Sequence, residues 1–228
     1  MKLVMKMCGR YSFSPEIQQI IQRFKIDEIT FEYTPRYNLA PGQMIPAIIA
    51  NEGRNRLGLL KWGLIPYWAK DEKIGYKTIN AKAETVHEKP AFRHAFRKKR
   101  CIIPADGFYE WKKSESGKQP MRITLKSGEP FGMAGLFDSW TSSDGTKIHT
   151  CTIITTRPNE LVSEIHDRMP VILRPEDETI WLDREKQDVE LLQSLLVPYP
   201  AEQMRAYPVS PMVGNVKNDT ELLTWLYA

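Results

Sequence analysis

Glu110 stands in Gly107-Phe108-Tyr109-Glu110-Trp111, a carboxyl group set among aromatic residues in a segment otherwise suited to burial. Burying a carboxylate is costly unless it is paired or neutralised, so its position needs a reason. Either it hydrogen-bonds a neighbouring strand, or an apolar site tunes it for general acid and base work. His166, in Ile165-His166-Asp167-Arg168-Met169-Pro170, is a second proton carrier, although a lone histidine is as readily a packing residue. Cys8 offers a thiol that by default counts as a small buried hydrophobe. Asn80, in Thr78-Ile79-Asn80-Ala81-Lys82-Ala83-Glu84, reads on its own as a cap or turn residue. Trp62 and Trp68 flank Gly63-Leu64-Ile65-Pro66; they are core aromatics by default, yet a tryptophan near basic residues also stacks on an unpaired base. Arg93, Arg97, Lys98, Lys99 and Arg100 form a basic cluster. It fits a solvated helix end, where cations oppose the dipole, or a polyanion contact.

Several chemistries find no support. There is no phosphate loop, no G-x-G-x-x-G and no G-x-S-x-G. The three cysteines, Cys8, Cys101 and Cys151, are odd in number and widely spaced. They draw neither a disulfide framework nor a zinc pattern, so no metal and no cofactor is expected and a reducing, cytoplasmic compartment fits best. Lys and Arg outnumber Asp and Glu by 32 to 28, an excess compatible with nucleic acid but too mild to demand it. The longest stretch without a charge, residues 37–51, is interrupted by Pro41, Gly42 and Pro46 and is too short to span a bilayer. No membrane association is expected.

The elements that must hold these residues are short. Ser14-Pro15-Glu16 reads as a helix start, followed by Ile17, Ile20, Ile21 and Phe24 at helical spacing. A loop rich in turn formers is expected over residues 37–42, and strands over 44–50 and 57–62. Lys89-Pro90 should open a second helix with Phe92 and Phe96 on one face. The middle of the chain is β-rich, with strands expected at 101–103, 108–111, 121–125, 131–137 and 148–155, separated by turn signals such as Ser116-Gly117 and Asp144-Gly145. Helical patterns return at 158–165, 175–182, 188–196 and 220–227. Without regular strand–helix alternation, the expected class is α+β: a mixed or antiparallel sheet curling toward a barrel, with helices packed outside.

Taken in order, these segments resemble one family. Met7-Cys8-Gly9-Arg10-Tyr11 is similar to its N-terminal signature; Tyr37-Asn38-Leu39-Ala40-Pro41, Trp62-Gly63-Leu64-Ile65-Pro66-Tyr67-Trp68 and Asn80-Ala81-Lys82-Ala83-Glu84-Thr85 follow. Then come Arg100-Cys101-Ile102-Ile103-Pro104-Ala105-Asp106-Gly107-Phe108-Tyr109-Glu110-Trp111, Ile153-Ile154-Thr155-Thr156, His166-Asp167-Arg168-Met169-Pro170 and Val213-Gly214-Asn215-Val216-Lys217-Asn218. The family is that of the SOS response-associated peptidases, SRAP. A single block would be weak, but eight collinear blocks are specific, and they run from Met7 nearly to the C-terminus.

The resemblance implies a sensor of abasic sites in single-stranded DNA, with a monomer as the expected state and the nucleoid as its location when bound. Cys8 matches the family's reactive cysteine, whose amine and thiol together close a thiazolidine on the sugar aldehyde. Glu110 and His166 match the catalytic acid/base pair, Asn80 the residue positioning the cysteine, and Thr155 a further polar residue of that pocket. Arg10 and Lys82 match phosphate-contacting positions and Trp68 an aromatic abutting a splayed base. Lys82 departs from the usual arginine, keeping the charge but losing bidentate geometry. Residues 1–6 are expected to be an N-terminal extension, a leader or an upstream start, ahead of a single domain over 7–228. Ring formation needs everything through Met7 removed, whether by a start at Met7 or by self-cleavage through the same Cys–Glu–His site. A non-covalent single-strand binding module and a thiol peptidase acting on other proteins are the competing readings.

Overall fold

Short apolar runs cannot bury their faces alone, and here they pair into two sheets. The computed structural model describes residues 8–115 and 117–227; Met7 and the expected extension over residues 1–6 lie outside the described residues. In chain order the strands are β1 (Tyr11–Phe13), β2 (Ile26–Ile29), β3 (Arg36–Leu39), β4 (Met44–Asn51), β5 (Arg54–Trp62), β6 (Asn80–Lys82) and β7 (Arg100–Ala105). They continue with β8 (Gly107–Ser114), β9 (Gly117–Leu125), β10 (Phe131–Thr141), β11 (Lys147–Thr156), β12 (Met169–Pro170) and β13 (Met204–Pro208). The α-helices are α1 (Ile17–Phe24), α2 (Arg93–Lys98), α3 (Glu160–Ser163), α4 (Pro175–Leu182) and α5 (Val189–Ser194).

Strands β5, β4, β7, β10 and β11 are successive antiparallel neighbours, and β11 returns to β5 in parallel, with Thr150 opposite Lys61 and Cys151 opposite Trp62. The sheet therefore closes into a five-stranded barrel, which removes its free edges. A second, antiparallel sheet runs β13-β9-β8-β1-β3. Helices α2 and α4 pack outside against β7 and β10. This is the expected α+β class, with the curl carried to full closure.

One glycine shows how tightly the barrel is drawn. A Cβ on Gly135 would lie 2.9 Å from Cys101 Sγ, 3.0 Å from Ile103 Cγ1 and 3.1 Å from the Thr152 carbonyl oxygen. The last of these is backbone in a paired strand and cannot move aside. Gly135→Ala is expected to cost ~1–3 kcal/mol through overpacking, read as a lower denaturant midpoint at unchanged slope.

Four local expectations are corrected. Ser14 is not the cap of α1: Glu16 holds that position without a side-chain bond, and the Ser14 hydroxyl donates to Asp106 Oδ2 at 2.6 Å. The expected loop over 37–42 begins as strand β3, because β1 offers it an edge, pairing Tyr11 with Leu39. The second helix opens at Arg93 rather than at Pro90. Residues 220–227 form only a single 3-10 turn, Glu221–Thr224. Leu222, Trp225 and Leu226 remain exposed there, so no packed apolar stripe offsets the cost of ordering a longer helix.

Candidate active site

Strand alternation decides where Glu110 points. On β8, Tyr109 and Trp111 pack against Val209, Val213 and Leu223, whereas Phe108 belongs to the main core. Period-two geometry puts Glu110 on the face of Phe108, and it is 3% exposed. Its Oε1 has no hydrogen-bond partner among the described residues. Burial pushes its pKa up to about 7, against the pull of His166, whose Nε2 lies 3.9 Å from Oε2. This carboxyl group can therefore hold or release a proton near neutrality.

His166 follows α3 and precedes β12. The Arg168 backbone N–H donates to its Nδ1 at 3.1 Å. Nδ1 also lies 3.2 Å from the Arg168 carbonyl oxygen and 3.2 Å from Asp167 Oδ1, so its role as donor or acceptor depends on the tautomer, while Nε2 faces Glu110. Cys8, just ahead of β1, is buried, and its Sγ donates to the Arg168 carbonyl at 3.7 Å. Burial first, and then the Glu110 carboxylate, push the thiol well above its ordinary pKa. At rest it is a thiol and not a thiolate.

Of the other expected residues, Thr155 lies at the end of β11 and Asn80 on the strand beside it. Strand β6 lies parallel to β11, with Asn80 opposite Ile153 and Lys82 opposite Thr155; β12 takes its other side, with Pro170 also opposite Thr155. Asn80 is buried, donates through Nδ2 to the Ile153 carbonyl at 3.4 Å, and leaves Oδ1 buried without a partner among the described residues. Thr155 is fully buried. The site thus sits on a seam: Cys8 and Glu110 arrive from the second sheet, and His166, Asn80 and Thr155 from the barrel's strands and their connections.

Arg168 ties that seam together, and its sequence context of charged residues in a turn did not mark it out. Its guanidinium grips Glu84 with two bonds of 2.7 and 2.9 Å and donates to the Thr155 carbonyl at 2.7 Å. Its own backbone meets both Cys8 and His166. No spacing rule could have revealed this, because apart from His166 the partners lie 13 to 160 positions away.

The residues expected to meet DNA divide. Trp62 is core, with its indole N–H donating to the Ile79 carbonyl at 2.8 Å, whereas Trp68 is 48% exposed. Lys82 is exposed at the pocket's edge strand. Arg10 departs from expectation: it is buried, with Nη1 and Nη2 donating to Asn38 Oδ1 and the Val213 and Gly214 carbonyls. Those donors are committed to backbone and amide oxygens, so this arrangement supports anchoring of the Val213–Gly214 turn rather than a phosphate contact. The basic cluster divides too. Arg100 is buried and caps α2 by donating to the Phe96 and Arg97 carbonyls, whereas Arg93, Arg97 and Lys98 are exposed. Among the described residues no three His, Cys, Asp or Glu side chains gather as metal ligands, and no helix is long and apolar enough to cross a membrane.

Comparison with known proteins bears on this site. The family model described as SOS response associated peptidase (SRAP) matches residues 7–216. The abasic site processing protein YoqW of Bacillus subtilis is 55% identical over 217 residues, covering 94% of this chain and 97% of YoqW. The abasic site processing protein HMCES of Xenopus tropicalis is 34% identical over 221 residues, covering 83% of this chain and 65% of HMCES. A crystal structure of a protein from Bacteroides thetaiotaomicron superimposes with a TM-score of 0.86 at 32% identity, covering 95% of this chain and 98% of that one.

Proposed function

Because the chain belongs to the SOS response associated peptidase family, we propose that it processes abasic sites, capturing them covalently in single-stranded DNA through Cys8. The observation that supports this most directly is the buried Glu110 carboxyl, poised near neutrality between the Cys8 thiol and the His166 ring. The reaction requires Cys8 as the first residue, so Met7 and everything before it must be gone.

The steps balance without an oxidant or a cofactor. An abasic deoxyribose opens to an aldehyde, with His166 giving a proton to the ring oxygen while the C1 hydroxyl proton leaves to water. The Cys8 amine, with a pKa of ~7.7–8.0 in an ordinary N-terminus, loses a proton to Glu110 and adds to the carbonyl carbon. Return of a proton expels water and leaves the imine. The thiol then adds to the same carbon, its proton passes to nitrogen, and the thiazolidine closes. The unpaired Oδ1 of Asn80 is the acceptor available to orient the amine. Self-cleavage ahead of Cys8 would use the same three side chains.

Two observations weigh against a thiol peptidase acting on other proteins. Such enzymes hold a low-pKa cysteine beside a histidine, whereas here the thiol is pushed up and its closest electrostatic partner is a carboxylate. A denaturing gel shift with an abasic single-stranded oligonucleotide tests the proposal, which predicts a boiling-resistant adduct. Its absence from protein whose mass shows Cys8 as first residue would overturn the covalent reading.

Binding ahead of chemistry has its own signature. Trp68→Ala should cost ~1–3 kcal/mol of single-strand affinity through lost stacking, and Lys82→Ala should make the logarithmic salt slope shallower by ~0.7. Fluorescence anisotropy across a salt series measures both. An unchanged slope in Lys82→Ala would remove the phosphate assignment.

A further inference from the structure

A shallow cleft outside the Cys8 pocket combines the two features that hold single strands. Tyr67, next to Trp68 in sequence, is 56% exposed and Trp68 is 48% exposed. Two adjoining hollows of about 460 and 350 Å³ share Tyr67, Arg93 and His94; one extends to Arg97, His87 and the carboxylate of Glu88, and the other to Trp68 and Pro90. Both volumes fall within the range of small-ligand sites. Exposed aromatic rings this large need a reason, and so do the cations beside them.

The Tyr67 ring is held in place from behind. Its backbone N–H donates to Asp138 Oδ2 at 2.9 Å, and Asp138 also pairs with Lys99 Nζ at 2.6 Å. That ammonium lies 5.9 Å from the Tyr67 ring centroid, and His94 meets the ring edge-on with centroids 5.4 Å apart. Lys99 and Asp138 thus neutralise each other and orient the aromatic. Arg93 and Arg97 differ from them. They are one helical turn apart on α2, both exposed, and their side chains make no hydrogen bond or ion pair among the described residues.

We infer that this cleft is an additional subsite for single-stranded DNA, in which Tyr67 stacks on a base beyond the one at Trp68 while Arg93 and Arg97 bind successive phosphates. The inference rests on the single-strand reading above and deepens it by naming a longer footprint. Unpaired guanidiniums beside an oriented, half-exposed ring are complementary to a chain of alternating anions and π faces. Phosphate contacts position the strand without reading its sequence, which suits a protein that must meet lesions in any context.

The experiment compares mature protein that begins at Cys8 with the Arg93→Gln/Arg97→Gln and Tyr67→Ala variants. Each is titrated with a short (~5 nucleotide) and a long (~15 nucleotide) unmodified deoxythymidine strand across a salt series. On the long strand, the double variant should shift the logarithmic salt slope by about 1.4, two phosphates at ~0.7 each. Tyr67→Ala should weaken the long strand about fivefold or more at every salt, with its slope unchanged. Neither change should alter binding of the short strand or the adduct yield at saturating DNA. Wild-type slope and affinity in the variants on the long strand would overturn the subsite while leaving the single-strand reading intact. Failure of the wild-type protein to bind either strand or to form an adduct would overturn the parent reading instead. Thermal melts matching wild type confirm that the variants are folded.

Discussion

Cys8→Ala is expected to abolish the denaturant-stable adduct completely, the largest effect of any single substitution in this protein. In the proposed reaction both bonds of the ring come from this residue, one from its amine and one from its thiol, and alanine keeps only the amine. Cys8→Ser separates the two: an imine still forms, but the weaker oxygen nucleophile leaves it reversible. Borohydride trapping should then capture the serine and alanine variants as reduced imines, while boiling without reductant should retain only wild type. Non-covalent affinity for undamaged strands should not change, since the buried Cys8 side chain faces Glu110 and the Arg168 carbonyl. Persistence of a boiling-resistant adduct in Cys8→Ala would show that another group carries the chemistry.

The second large effect divides the work of Glu110 and His166. Glu110→Gln and His166→Ala should each slow adduct formation ~10²–10⁴-fold, the usual contribution of a positioned acid or base. A strand bearing a simple aliphatic aldehyde in place of the sugar needs no ring opening, so it should rescue His166→Ala but not Glu110→Gln. Equal rescue of both, or of neither, would mean that the roles are divided wrongly. The pH profile adds a second readout. With a pKa of about 7, Glu110 becomes a base as pH rises through neutrality, and the wild-type rate should climb there. In Glu110→Gln that inflection should vanish and leave the amine's own, at ~7.7–8.0.

The same group carries a stability consequence of definite sign. The folded pKa of Glu110 lies above its ordinary value of 4.5, so the native state binds the proton more tightly than the unfolded chain does. Its contribution is fully present below pH 4.5 and is lost as pH rises toward about 7. Glu110→Gln should therefore raise the melting temperature at pH 8 relative to wild type and change it little at pH 4.5. A carboxylate that destabilises the fold where the reaction is fastest is what a functional group, as opposed to a structural one, looks like.

Much of this site was visible in the order of residues. Glu110 stood out because a carboxyl group among aromatics violates the pattern of its own strand, and the collinear blocks around Cys8, Asn80, Thr155 and His166 pointed to one family. The strands at 44–50 and 57–62 and the helix at 175–182 followed from local periodicity, which depends on near neighbours alone and so can be read along the chain. Arg10, Arg168 and Tyr67 could not be read that way. The first is polar and close in sequence to Cys8, yet its environment is set by the carbonyls of Val213 and Gly214, some two hundred positions on. Arg168 becomes a hub only when β11, β12 and the turn at Glu84 meet. Tyr67 and Trp62 belong to one short block of mostly apolar residues, and nothing in their types says that one faces solvent and the other the core. The sequence by itself determined the chemistry on offer, the fold class and the family, because residue type and periodicity are local properties. Only the tertiary structure decided which charges are spent on backbone carbonyls and which remain free. That depends on contacts between distant segments, where the cost of burying a donor is met by whichever acceptor the fold brings to it.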